Sequence, residues 1–212
     1  MPFTVLAMFG CKSKTCRLRR QMGGSRDSLP AGSEVRAAAA DFQLSTGETL
    51  LEASESRVLV LVFLRHFGCT FTRQILCGLE QIHHLAVARG AQLVLVHMLK
   101  SGSELRYLSS HNGVARIADP QCELYRSFGL RKGGFTELLG PRVWWLGFLS
   151  VFKGCGVGYL AGNGRQMPGA FLFHRGEILA SQRAKSASDL PDLPGLFDTV
   201  QSAGTRELPA AP

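Results

Sequence analysis

Six cysteines, Cys11, Cys16, Cys69, Cys77, Cys122 and Cys155, are the residues of this 212-residue chain best suited to chemistry, and one of them stands where a thiol becomes reactive. Cys69 comes five residues after the apolar run Val58 to Leu64 and opens a segment in which Phe71, Ile75, Leu79, Ile82 and Ala86 recur with helical period. A cysteine leaving a buried strand for the first turn of a helix meets unpaired backbone N–H groups and the positive end of the helix dipole, and both stabilise a thiolate. Thr72 lies three residues on, on the same side of a helical turn, and can donate its hydroxyl to the sulfur. Arg73 adds positive charge in that turn. Cys-x-x-Thr is a weak pattern by itself, since most such cysteines are small core residues; the strand-to-helix elbow reverses that reading here.

The other cysteines fit less well. Cys77 is eight residues further along the same predicted helix, roughly 12 Å away and beyond disulfide reach, and reads as structural. Between Cys122, after a later strand, and Cys155, in a glycine-rich segment, Cys155 is the better candidate to resolve an oxidised Cys69, although an idle cysteine is the commoner case for either. Cys11 and Cys16 read as free thiols in a tail. None of the six histidines has a C-x-x-C partner or a His-x-x-x-His spacing, so no metal is expected. His66, nearest Cys69, is read as tuning it or simply packing. Gly154 to Gly164 has neither a Lys-Ser/Thr ending nor a G-x-G-x-x-G helix entry, which disfavours nucleotide binding and leaves no cofactor expected.

These residues need a scaffold, and the composition supplies one. At 45% hydrophobic, 19% charged and a mean hydropathy of +0.07, the chain can bury one full core and is not a mainly disordered protein. Its net charge of +8 is misleading, because Lys12, Lys14, Arg17, Arg19, Arg20 and Arg26 all precede the first acid, Asp27, and without them 18 bases face 16 acids. The body is nearly neutral, so no nucleic-acid partner is expected. Irregular cysteine spacing in a chain of this size argues for a reducing, cytoplasmic compartment, with organellar targeting by the basic N-terminus left open. The longest apolar stretch, Val143 to Phe152, is too short to cross a bilayer.

Residues 1–33 read as a basic, flexible tail, residues 41–202 as the folded domain and residues 203–212 as a flexible C-terminus. Phe42 to Leu44 and Thr49 to Leu51 flank a turn signal and predict a small hairpin. Val58 to Leu64 predicts a strand buried on both faces. One helix is expected from Cys69 to a stop at Gly90, a strand at Leu93 to Val96, a helix over Ser103 to Ser110, a strand at Ala115 to Ala118, and a helix from Pro120 to Phe128. A Trp-bearing helical insertion and the glycine-rich segment come next. Strands at Ala170 to His174 and Glu177 to Ser181, turning at Arg175-Gly176, precede a last helix around Leu193 to Val200. This order predicts an α/β protein with a central mixed sheet flanked by helices and an insertion before the final hairpin, the thioredoxin-like fold. Pro168 is then either a cis-proline facing the thiol or a plain strand-start proline. Arg183, ending the last strand, is either a cation for the same cleft or a solvated side chain.

The string Phe63-Leu64-Arg65-His66-Phe67-Gly68-Cys69-Thr70-Phe71-Thr72-Arg73 resembles the active-site segment of peroxiredoxin-like proteins of the alkyl hydroperoxide reductase/thiol-specific antioxidant superfamily, in the branch with selenoprotein L and prostamide/prostaglandin F synthase. Ile117-Ala118-Asp119-Pro120 with Leu124-Tyr125 and Phe128-Gly129-Leu130, the Trp-bearing insertion, and Gly162 to Phe173 resemble it too. The resemblance spans Asp41 to Val200. It implies a redox-active Cys69 that reduces peroxides or protein disulfides, with electrons from a thioredoxin-like protein or a small thiol. Many relatives carry cysteine or selenocysteine where this chain has Thr72, so their two-residue-spaced disulfide cannot form here. Typical peroxiredoxins place threonine first and cysteine last, the reverse order. The expectation is a thiol peroxidase with catalytic Cys69 and Thr72, supported by Arg73, Pro168 and Arg183. The alternatives are a thiol–disulfide oxidoreductase and a non-catalytic binding module of the same fold.

Overall fold

The computed structural model describes residues 32–108, 113–134, 163–186, 189 and 191–202. The expected helical insertion, Cys155, Cys11 and Cys16 lie outside the described residues. Five strands form one sheet in the order β3-β2-β1-β4-β5: β1 (Val58–Phe63), β2 (Ala91–His97), β3 (Ala115–Ala118), β4 (Gly169–His174) and β5 (Glu177–Arg183). The first three run parallel, and β4 and β5 run antiparallel to their neighbours. This mixed sheet with flanking helices is the thioredoxin-like fold.

β1 is central because every one of its residues is apolar, and it is buried throughout. Its alternate side chains serve two cores. Leu59, Leu61 and Phe63 pack with α1 (Gly32–Asp41), α2 (Leu50–Ser56) and α6 (Glu123–Ser127) on one face. Val58, Val60 and Val62 pack with α3 (Thr70–Cys77), α4 (Leu79–Ala88), α5 (Leu105–Leu108) and α7 (Leu193–Ser202) on the other. Fully burying a side chain of this size contributes roughly 1.5–3 kcal/mol, so β1 is both the geometric and the energetic centre.

Three local expectations are corrected. The predicted hairpin at 42–51 is reduced to a single antiparallel bridge, Gln43 to Thr49, because Thr49 instead caps α2. Its hydroxyl accepts from the Glu52 N–H at 3.2 Å while the Glu52 carboxylate accepts from the Thr49 N–H at 2.8 Å, and this capping box commits Leu50 and Leu51 to helix. The predicted helix from Cys69 to Gly90 is two helices, broken at Gly78, where the chain leaves helical geometry at φ −97° and ψ 8°. The predicted helix from Pro120 begins only at Glu123, since Cys122 adopts a left-handed φ of 56° and the Asp119 carboxylate accepts the N–H groups of Glu123 and Tyr125. Residues 34–40, left between tail and domain by the sequence, belong to α1, whose Val35 and Ala39 are buried in the core. The hairpin of β4 and β5 turns where expected, with φ of 51° at Arg175 and 75° at Gly176, the positive pair that a two-residue turn requires.

Gly169 pairs with Phe63 at the end of β1. A methyl group there would lie 2.8 Å from Leu130 Cδ2 and 3.2 Å from both Gln182 O and Phe171 Cε2. Gly169→Ala is therefore expected to destabilise the protein by about 1–3 kcal/mol, read as a lower midpoint of urea unfolding; an unchanged midpoint would show that the neighbours yield freely.

Candidate functional site

The site is built where β1 ends. Leu64 continues the strand by donating its N–H to Val96 O at 2.9 Å, and the chain then turns through Arg65, His66, Phe67 and Gly68 to reach Cys69, the N-cap residue of α3. The Cys69 N–H closes this turn on His66 O at 2.9 Å. Phe67 anchors it, stacked on Tyr107 at 4.6 Å between ring centroids and edge-on to His97 at 6.1 Å. Cys69 is a free thiol only 7% exposed.

Arg65 is the residue that sequence reasoning missed. Its guanidinium is buried and spends three N–H groups at once: Nη1 donates to Cys69 Sγ at 3.1 Å, Nη2 to Gly164 O at 2.7 Å and Nε to Gln166 O at 3.2 Å. Two of those acceptors are neutral carbonyls, and among the described residues no carboxylate forms an ion pair with Arg65. The third acceptor is the sulfur, so the guanidinium lies directly against the thiol. The signal was present in the sequence as a charged residue directly after an unbroken apolar strand, four residues before the cysteine.

The residues expected to assist the thiol are placed differently. Cys69 has no side-chain hydrogen bond to the N–H groups of α3, although the helix dipole still favours negative charge there. Thr72 is buried in the same turn, but no hydrogen bond links its hydroxyl to the sulfur; the guanidinium occupies that role. Arg73 contributes its backbone N–H to Cys69 O at 3.0 Å.

Pro168 continues the β4 strand one step beyond the Phe63–Gly169 pair, so it faces the start of the thiol turn, and its carbonyl accepts from Ala184 N–H. No peptide bond is cis among the described residues, so the cis-proline reading is replaced by that of a trans, strand-start proline. Trans is the isomer an X–Pro bond prefers, and strand-like contacts lead directly into it: Met167 N–H bonds Arg131 O and Gln166 bridges Lys132. Pro168 also lines a cleft of about 490 Å³ with Ile75, Lys185, Asp189 and Pro191, which flanks α3 without including Cys69.

Arg183 lines the same cleft as Pro168, as expected, and its guanidinium lies over the Phe171 ring at 5.4 Å and donates to Phe128 O at 3.1 Å rather than to Cys69. Gly169 is its cross-strand partner. Cys77 is exposed at the end of α3 and is not a core residue. The Cys122 thiol is buried on the α6 face, and burial, then the Asp119 charge, push its pKa up.

The two histidines around the turn are neutral at physiological pH. His66 is held down to about 4 by burial and by the adjacent Arg65 charge, and His97 to about 4 chiefly by burial, with Glu104 4.0 Å away opposing the shift. Arg65 is thus the cation at the sulfur, with no imidazolium beside it. Among the described residues no group of three or more His, Cys, Asp or Glu could hold a metal, and no helix is long and apolar enough to cross a membrane.

No family model and no curated protein matches the chain. Among solved structures, a cysteine-to-serine mutant of peroxiredoxin 6 of Arenicola marina is similar with a TM-score of 0.53 at 13% identity, over 81% of this chain and 76% of that one. Peroxiredoxin Q of Xanthomonas campestris aligns with a TM-score of 0.46 at 17% identity, over 84% and 94% of the two chains. A protein assigned as a thiol:disulfide interchange protein DsbE, of Chlorobium tepidum, aligns at 0.48 and 19% identity, over 75% and 90%. Identity this low speaks to the fold, and the first of these agrees with the thioredoxin-like sheet described above.

Because His66 and His97 titrate near 4 when folded and near 6.5 when unfolded, the unfolded chain binds more protons between those values. Stability is therefore expected to be highest above pH 6.5 and to fall as pH drops towards 4. Urea unfolding across that window should show the decline, and His97→Gln should flatten it. A parent and variant with equal slopes would remove His97 from the account.

Proposed function

We propose that the protein is a thiol-dependent oxidoreductase that reduces peroxides through Cys69. The observation that carries this reading is the 3.1 Å contact from the buried Arg65 guanidinium to Cys69 Sγ. A neutral thiol gives that cation no counter-charge, whereas a thiolate pairs with it, and the thiolate is the nucleophile. The low exposure of Cys69 favours a small first reactant, which suits a hydroperoxide better than a protein disulfide.

In the proposed step the Cys69 sulfur attacks one peroxide oxygen. A sulfur–oxygen bond forms, the oxygen–oxygen bond breaks, and the departing alkoxide or hydroxide takes up a proton to leave as alcohol or water. Cys69 is oxidised by two electrons to a sulfenic acid, and the peroxide is reduced. A thiol reductant then condenses with the sulfenic acid to release water and form a mixed disulfide, which a second thiol opens to return Cys69. With threonine at position 72 no cysteine stands two residues away to close a local disulfide, so the reductant comes from a small thiol, a thioredoxin-like protein or Cys155. Arg65 holds the thiolate and offers an N–H to the charge that develops on the departing oxygen. The N-terminal turn of α3 adds its dipole to the site.

The test is to add a modest excess of hydrogen peroxide or an organic hydroperoxide to the reduced protein, trap sulfenic acid and map it by mass. Cys69 should be oxidised first, and Cys69→Ser should abolish the reaction. Arg65→Met should slow it by about a hundredfold, the size of losing a donor aimed at developing charge. Oxidation spread evenly over the cysteines would overturn the peroxidase reading; fast, Cys69-dependent exchange with a disulfide but not with peroxide would convert it to disulfide reduction.

A further inference from the structure

We infer that Tyr125 is a positioning residue for the thiol site, acting on Arg65 and Cys69 through the carbonyl of Leu64. The inference rests on Cys69 being the reactive thiol and Arg65 its partner.

Tyr125 is fully buried in the core on the α6 face, with its ring edge-on to Phe63 at 4.9 Å. Phenylalanine would fill the same space, so packing does not ask for the hydroxyl. A buried hydroxyl costs free energy unless it is bonded, and this one sits 2.6 Å from Leu64 O and 2.9 Å from Val96 O, sharing its proton between them. Val96 O also accepts the Leu64 N–H. The phenol therefore clamps the last rung between β1 and β2, and Leu64 is the residue before Arg65. Fixing the Leu64 carbonyl fixes the plane of the Leu64–Arg65 peptide, and with it the direction in which the Arg65 side chain leaves the strand.

The same element also holds the far side of the guanidinium. Tyr125 O accepts from Leu130 N–H at 2.8 Å, Leu130 O accepts from the Gln166 amide at 3.1 Å, and Gln166 O accepts from Arg65 Nε at 3.2 Å. Tyr125, Leu64, Arg65, Gln166 and Leu130 thus form a closed circuit of covalent and hydrogen bonds with Cys69 Sγ attached at Arg65. Asp119 sets the position of Tyr125 in turn, because its carboxylate accepts the Tyr125 N–H at 3.2 Å. Every link is buried or partly buried, so water does not substitute freely for a missing one. Displacing the guanidinium by a fraction of an ångström weakens the bond that holds the thiolate.

A purely structural role and a positioning role predict opposite signs. Loosening the fold exposes Cys69 and speeds its modification, whereas misplacing Arg65 slows it. The experiment measures the second-order rate of Cys69 alkylation by iodoacetamide and of its oxidation by hydrogen peroxide in the full chain, mapped by mass, with exposed Cys77 as the internal reference. Tyr125→Phe should slow Cys69 roughly fivefold and leave Cys77 unchanged. In the Arg65→Met background, Tyr125→Phe should change the Cys69 rate less than about twofold, because the residue through which it acts is gone. Gln166→Met, which opens the circuit at another link, should slow Cys69 in the same direction and keeps the test open should Tyr125→Phe fail to fold.

A Tyr125→Phe rate equal to or faster than the parent's, or an equal slowing in both backgrounds, would overturn the positioning role while leaving the thiol site intact. An Arg65→Met variant as reactive as the parent, or a parent Cys69 no faster than Cys77, would instead remove the reading on which it rests.

Discussion

A buried guanidinium is the constraint around which the end of this sheet is arranged. Arg65 follows a strand that is apolar at every position, and its own side chain is buried. The molecule brings acceptors to it: the carbonyls of Gly164 and Gln166 and the sulfur of Cys69. Carbonyl dipoles satisfy donors without cancelling charge, and the sulfur is the one partner that can do both. The local folding problem of accommodating Arg65 therefore brings a cation against the one cysteine of the turn.

This arrangement explains which elements need to be exact in placement and which do not. β1 and β4 meet at Phe63 and Gly169, and the absent side chain at Gly169 lets Leu130 and Phe171 close over the pair. That closure brings residues 130–131 against 166–167, where the Gln166 amide ties them and Gln166 O receives Arg65. β5, by contrast, is a half-exposed edge strand, and its terminal Arg183 donates to Phe128 O. The cleft of about 490 Å³ lined by Pro168, Ile75 and Arg183 does not include Cys69, so that space and the thiol do not coincide.

Much of the scaffold was legible in the sequence because it rests on patterns that tertiary context rarely overrides. An unbroken run such as Val58 to Leu64 has no stable place except a doubly covered strand, and strands separated by helical periods leave little choice but parallel pairing. The errors arose where a local interaction outweighed periodicity. Thr49 and Glu52 formed a capping box in place of a hairpin strand, and Gly78 broke a helix whose apolar spacing runs straight through it.

The surroundings of Cys69 were less legible than the elbow that carries it, for a related reason. A thiol at a strand-to-helix elbow is a one-dimensional pattern, whereas its partner is chosen by three-dimensional closure. Thr72 and Arg73 are near in sequence and were the natural candidates, yet helix geometry commits Thr72 to the core. Arg65 precedes the cysteine by a whole turn of loop, and its reach to the sulfur depends on the Cys69 N–H folding back onto His66 O. Such a contact is set by backbone hydrogen bonds that no side-chain period encodes. What the sequence did carry is the juxtaposition itself: a residue that is always charged, directly after an unbroken apolar run. Where such a charge is buried, as Arg65 is, it has to be answered inside the protein, and the residue that answers it is the one to test first for chemistry.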